Sequence, residues 1–199
     1  MIKTIIFDIG GVLKRFEYVK YINSLFNDPD TVDAVYNAIW KSGNWEMLDA
    51  GEDADKVLSI MLESGKSYED EIKLAFDTIG KCMYRQEYAI PWIKSLKSKG
   101  YKILYLSNYS KYVMQICPEV LDFLPYMDGG IFSCDVHLMK PDEKIYKMLL
   151  DKYDLNASEC VFIDDNETNV TAAKKIGMEA IHFTDYLHTQ NQLEKILHS

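Results

Sequence analysis

The segment "KTIIFDIGGVL", Lys3 to Leu13, constrains the fold more than any other stretch of this chain. Thr4 to Phe7 is an unbroken β-branched and aromatic run without helical spacing, the pattern of a strand buried on both faces of a parallel sheet. The run stops at a carboxylate, Asp8. Gly10 and Gly11 follow, where the backbone can turn sharply and approach a ligand closely. Ligands of open parallel sheets bind at the carboxyl ends of strands, so Asp8 is either a turn cap or a centre of chemistry.

Three more runs resemble the first: Tyr101 to Ser107, Cys160 to Ile163 and the shorter Glu179 to Phe183, with "GIFS" around Ile131 a weaker candidate. Helical patterns alternate with them: "IPWIKSLKSKG" closed by Gly100, "PDEKIYKMLLDKYD" with Pro141 in its first turn, and "ETNVTAAKKIGM". Strand alternating with helix predicts an α/β protein, a parallel sheet covered on both faces. The order of strands is not readable from this pattern. Residues from about Glu17 to Tyr88 break the rhythm and read as wholly helical, with apolar residues at helical spacing and a capping box at Ser67 and Asp70. This is the pattern of a helical insert placed after the first strand.

At 199 residues the chain is long enough for one generous domain, or a core with a smaller insert. Its formal charge of -9 argues against nucleic acid and acidic membrane surfaces, which need a cationic face. Only two arginines are present, Arg15 and Arg85, so positive contacts to an anion must be local. No stretch reaches the roughly 20 apolar residues of a membrane span, and Asp8 interrupts any signal-like run, so an intracellular, cytoplasmic protein is expected. Cys82, Cys117, Cys134 and Cys160 are irregularly spaced and read as reduced core thiols.

The strand from Cys160 ends in the adjacent carboxylates Asp164 and Asp165. Two such groups at a buried strand end repel each other and lose hydration, which makes a divalent cation their natural partner. Oxygen-only donors point to magnesium. The strand from Tyr101 ends in Ser107-Asn108, suited to holding oxyanions, and Lys140 precedes Pro141 at a helix entrance. Together these segments offer a nucleophile, a metal seat, an oxyanion donor and a cation.

The sequence resembles the haloacid dehalogenase superfamily over nearly its whole length. The resemblance rests on four motifs: Phe7-Asp8-Ile9-Gly10-Gly11-Val12-Leu13, Leu106-Ser107-Asn108, Lys140-Pro141 with "DEKIY" after it, and Asp164-Asp165 with Asn169 following. Any one of them is weak; four in this order are specific. The resemblance implies a Rossmann-like core, residues 1–14 and 89–199, with the first strand central and a helical cap at 15–88. It implies that Asp8 attacks phosphorus to form an aspartyl-phosphate. It implies Mg2+ held by Asp8, the Gly10 carbonyl, Asp164 and Asp165, with Ser107, Asn108 and Lys140 around the phosphoryl group. The implied activity is hydrolysis of a small phosphorylated metabolite, a small-molecule phosphate ester.

One position departs from the family pattern. Its phosphatases carry a second aspartate two residues after the nucleophile, as general acid and then base, and here that residue is Gly10. General acid–base catalysis is typically worth roughly two to four powers of ten, so its loss is a handicap rather than an abolition. Two other readings stay open: a catalytically weak phosphate-binding or regulatory module, and a metal-independent 2-haloacid dehalogenase, for which the acidic pair has no use. His137, ahead of the Lys-Pro pair, and Arg15, at the entrance to the insert, are candidates for a substitute acid and a substrate contact. The substrate and the oligomeric state are not readable.

Overall fold

The computed structural model describes residues 1–198. The chain runs through β1 (Thr4–Phe7) and β2 (Lys14–Phe16) into five helices, α1 (Tyr18–Leu25), α2 (Pro29–Tyr36), α3 (Asn44–Asp49), α4 (Ala54–Ser64) and α5 (Glu69–Thr78). It returns through β3 (Met83–Arg85) and then alternates: α6 (Ala89–Ser98), β4 (Lys102–Ser107), α7 (Lys111–Ile116), β5 (Gly129–Phe132), α8 (Ser133–Val136), α9 (Glu143–Tyr153). The chain closes with β6 (Cys160–Asp164), α10 (Glu167–Lys175), β7 (Glu179–His182) and α11 (Tyr186–Leu197).

Five strands form one parallel sheet in the order β5-β4-β1-β6-β7, with β1 at the centre. All four residues of β1 are buried, as an apolar run with no polar face requires. Ile5 and Phe7 pack into one layer with Trp92 and Ile93 of α6, while Ile6 faces the opposite layer with Tyr146 and Leu149 of α9. Gly100, at φ 91°, ends α6 and lets the chain turn straight into β4. All four cysteines are free and buried. Among the described residues no helix is long and apolar enough to cross a membrane.

Helices α1 to α5 enclose a separate apolar cluster that includes Ile22, Val35, Ile39, Leu48, Val57, Met61 and Phe76. This stretch is not wholly helical. Its two connections to the sheet, β2 and β3, pair antiparallel, with Arg15 opposite Tyr84 and Phe16 opposite Met83. Extended chain is favoured there because each connection borrows its ladder hydrogen bonds from the other, a pairing far apart in sequence that no local pattern reveals. A π-helical turn at Asn37–Lys41 also interrupts the predicted "DTVDAVYNAIWKS" helix.

Two predicted caps lie elsewhere. Ser67 falls in a 3-10 turn tied by the Tyr68 amide to the Gly65 carbonyl, and α5 starts at Glu69 without a side-chain cap. Asp142 caps α9 by accepting from the Lys144 amide at 2.9 Å, so Pro141 precedes the cap instead of occupying the first turn.

Candidate active site

The parallel register determines which strand ends meet. Phe7 lies level with Tyr105 on one side and Ile163 on the other, and the Asp8 amide donates to the Ile163 carbonyl at 2.8 Å. Asp8, Ser107 and Asp164 therefore emerge together at the carboxyl edge of the sheet. All three are buried, Asp8 being 7% exposed.

Lys140 joins them from the loop before α9. Its ammonium lies 2.9 Å from Asp8 Oδ1 and 2.6 Å from Asp164 Oδ2. Asn108 holds that loop: its Oδ1 accepts from the Lys140 amide at 2.8 Å, and its Nδ2 donates to the Lys140 carbonyl at 3.0 Å. Asp164 is engaged on both oxygens, by Lys140, by the Asn166 amide at 2.8 Å and by Asn169 Nδ2 at 3.1 Å. Asn169 thus orients Asp164, a role for which its place one helical turn into α10 is the sequence signal.

Burial pushes the Asp8 carboxyl up to about 7; Lys140 pulls it down, Asp164 pushes it further up, and the Ser107 hydroxyl hydrogen-bonds it. Burial works against the Lys140 ammonium too, but the Asp8 and Asp164 carboxylates outweigh it and hold its pKa above the ordinary value. Asp165 is raised by partial desolvation and by the Asp164 charge.

Oxygens of Asp8, Asp164 and Asp165 all lie within 4.8 Å of one another. The Asp165 carboxylate sits directly over the glycine turn, where a Cβ on Gly11 would overlap it, and Gly11 has φ 71°. Three hard-oxygen donors beside a backbone turn fit magnesium, and the excess of negative charge over the single Lys140 gives a cation something to neutralise.

The structure places Arg15 away from this cluster. It is exposed on β2, whereas its neighbour Lys14 is 4% exposed and lies close enough to Asp8 to feel its charge. Alternation along a strand explains the exchange: successive side chains point to opposite faces, so only one of two adjacent cations can face the sheet. Lys14 donates to the Tyr109 hydroxyl at 3.3 Å, and its ammonium sits 4.4 Å from that ring's centroid. Arg85 pairs with Asp122 at 2.6 Å.

His137 does not face the reacting centre either. It is exposed, its φ is 54°, and its Nδ1 lies 2.9 Å from the Ala50 carbonyl at the end of α3. It belongs to a clamp in which the Ser133 hydroxyl donates to the Asp49 carbonyl and accepts from the Tyr109 amide at 2.9 Å. Asp49 is brought to the sheet edge this way. Sequence reasoning missed Asp49 and Ser133, and no local signal marks either.

An open parallel sheet with carboxylates and a lysine gathered at its central strand end defines a Rossmann-like α/β protein with an acidic catalytic-type centre. The model of the haloacid dehalogenase-like hydrolases matches residues 2–177, and the chain belongs to that family. It is 27% identical over 199 residues to the sesquiterpene phosphatase AstK of Aspergillus oryzae, covering 98% of this chain and 96% of that one. It is 24% identical to the D-ribitol-5-phosphate phosphatase of Bacteroides thetaiotaomicron, over the full length of both. The fold is shared with a family enzyme of Bacteroides thetaiotaomicron solved with magnesium and inorganic phosphate, at TM-score 0.73 and 18% identity, covering 95% of this chain and 99% of that one.

Proposed function

We propose that this protein is a magnesium-dependent phosphomonoester hydrolase acting on a small molecule, with Asp8 as nucleophile. The observation that carries this reading is the pairing of Asp8 with Lys140 at 2.9 Å inside a group of three carboxylates. A lone nucleophilic carboxylate needs the lysine alone; the two further acids call for a metal, which a dehalogenase does not use. The phosphatase names of the full-length relatives support the same choice.

Asp8 attacks phosphorus in line with the departing ester oxygen, and the resulting aspartyl-phosphate is hydrolysed by water. Lys140 keeps Asp8 oriented and offsets the charge that gathers on the phosphoryl oxygens. Ser107 and adjacent amides bind those oxygens, and Asn108 holds the Lys140 loop in place. Asp8, Asp165, Asp164 and the Gly10 carbonyl would hold magnesium, Asp164 directly or through water. The ion would supply charge neutralisation of the phosphoryl group. Residues 15–88 act as a cap that excludes water and selects the substrate, over a core of residues 1–14 and 89–199.

The test is turnover of an activated aryl phosphate with magnesium and with a chelator. Release of phosphate only with magnesium is expected. Phosphate binding without any turnover would leave the regulatory-module reading standing, and chloride release from a 2-haloacid without metal would replace the proposal by dehalogenation.

A further inference from the structure

Gly10 stands where the family's phosphatases place a general acid, and the space beyond its Cα is empty to 4 Å. His137, the substitute suggested by sequence, is committed to the Ala50 carbonyl. The proton donor has to be sought among residues that reach the sheet edge from another element.

Resting on the phosphatase reading above, we infer that Asp49, the last residue of α3, is the general acid and base of this enzyme, delivered from the cap in place of the missing core carboxylate. Two anchors on consecutive backbone carbonyls hold this segment against the core: Ser133 on Asp49 and His137 on Ala50. Both anchors belong to the stretch between β5 and Lys140. Ser133 is also bonded to the amide of Tyr109, one residue past the Ser107-Asn108 pair, so Asp49 is tied to the strand end that carries Ser107. A Cβ on Gly51 would collide with the Cys134 carbonyl and the His137 ring, which shows how closely this part of the cap approaches the core.

The Asp49 side chain has no cation within ion-pair distance among the described residues, unlike Asp8 and Asp164. The charges that bear on it are Lys14 from β2, Glu46 from its own helix, Asp8 from β1 and Lys140 from the loop before α9. Burial dominates and pushes its carboxyl up to about 7, where a carboxylic acid both keeps and gives up its proton near neutrality.

In the first step Asp8 Oδ bonds to phosphorus and the phosphorus–ester oxygen bond breaks. The electron pair stays on the ester oxygen, which takes the Asp49 proton and leaves as the alcohol. In the second step the Asp49 carboxylate accepts a proton from the attacking water. The phosphorus–Asp8 bond breaks, phosphate departs, and both carboxyl groups return to their starting states.

The test is kcat/KM for a series of phosphate esters running from dinitrophenyl through phenyl to alkyl leaving groups, with magnesium, for the native protein and Asp49→Asn. kcat/KM reports steps up to departure of the alcohol, so it isolates proton donation. The native protein should show a shallow dependence on leaving-group acidity. Asp49→Asn should lose roughly a hundredfold or more on alkyl esters and only a few-fold on the dinitrophenyl ester. Asp49→Glu should recover part of the alkyl activity, and adding Gly10→Asp to Asp49→Asn should restore it, since Gly10 has neither a positive φ nor a neighbour to strike. A loss of equal size on every ester would reduce Asp49 to a residue that holds the cap, and a steep dependence already in the native protein would show that no acid operates. Absence of turnover on the whole series by the native protein would instead overturn the phosphatase reading.

Discussion

Lys140 and Lys14 are equally inaccessible, each 4% exposed, yet their surroundings are opposite. Lys140 lies between two carboxylates at 2.9 and 2.6 Å, which hold its pKa above the ordinary value against the cost of burial. Lys14, at the root of the cap, has a phenol at 3.3 Å, a thioether at 3.6 Å and an aromatic face, and burial lowers its pKa to about 8. Asp49, the nearest opposing charge in its effect, makes no ion pair with it. The core lysine belongs to a preassembled centre in which it is paired with carboxylates on two sides. Lys14 and Asp49 thus carry charges that the protein itself leaves only partly compensated.

The comparison breaks at its strongest point if the core centre tolerates losing its nucleophile. Asp8→Asn should lower kcat for aryl phosphates by roughly ten-thousandfold or more, because the attacking charge disappears at nearly constant volume. Circular dichroism and melting temperature should stay close to native, and retained turnover in that variant would remove Asp8 from the mechanism.

The two lysines can be set directly against each other by urea unfolding in the presence of a chelator. Lys140→Met leaves Asp8 and Asp164 buried without their cation and should cost about 3–5 kcal/mol. Lys14→Met removes an ammonium that no carboxylate within ion-pair distance neutralises, and should be neutral or stabilising by about 1–2 kcal/mol. Similar losses for both would mean that Lys14 is as fully paired as Lys140.

The smallest effect concerns Asp49 and pH. Its folded pKa of about 7 stands above the ordinary 3.8. Below 3.8 the carboxyl is neutral in both folded and unfolded chains and contributes no difference. Between about 3.8 and about 7 the unfolded chain releases that proton while burial makes the folded protein keep it. Native stability should therefore fall relative to Asp49→Asn across this window and level off above about 7, where both states are ionised. Metal-free melting curves of both proteins at a series of pH values measure the difference directly, and parallel curves would place Asp49 in solvent.

Much of the core is legible in the order of residues alone. The apolar run at Thr4–Phe7 had to be a doubly buried strand because it carries no polar face, and the structure puts it at the centre of a parallel sheet. Asp8, Ser107, Lys140 and Asp164 each follow an apolar run or precede a helix, so their positions at strand and helix ends could be read locally. Arg15 and Ser67 mislead for the opposite reason. Which of two neighbouring cations faces inward depends on the pairing of β2 with β3, some seventy residues apart, and the entry to α5 depends on a 3-10 turn that competes with the cap.

The sequence by itself determined the class of fold, the acidic strand-end residues and the absence of a core acid at Gly10, because periodicity and chemical type are properties of adjacent residues. Only the tertiary structure decided that Lys14 rather than Arg15 turns inward, that His137 is a clamp, and that Asp49 reaches the sheet edge. Each of these follows from hydrogen bonds between elements distant along the chain, such as Ser133 to Asp49 and His137 to Ala50. Such contacts form only when two separately built layers dock, and local propensity carries no record of them.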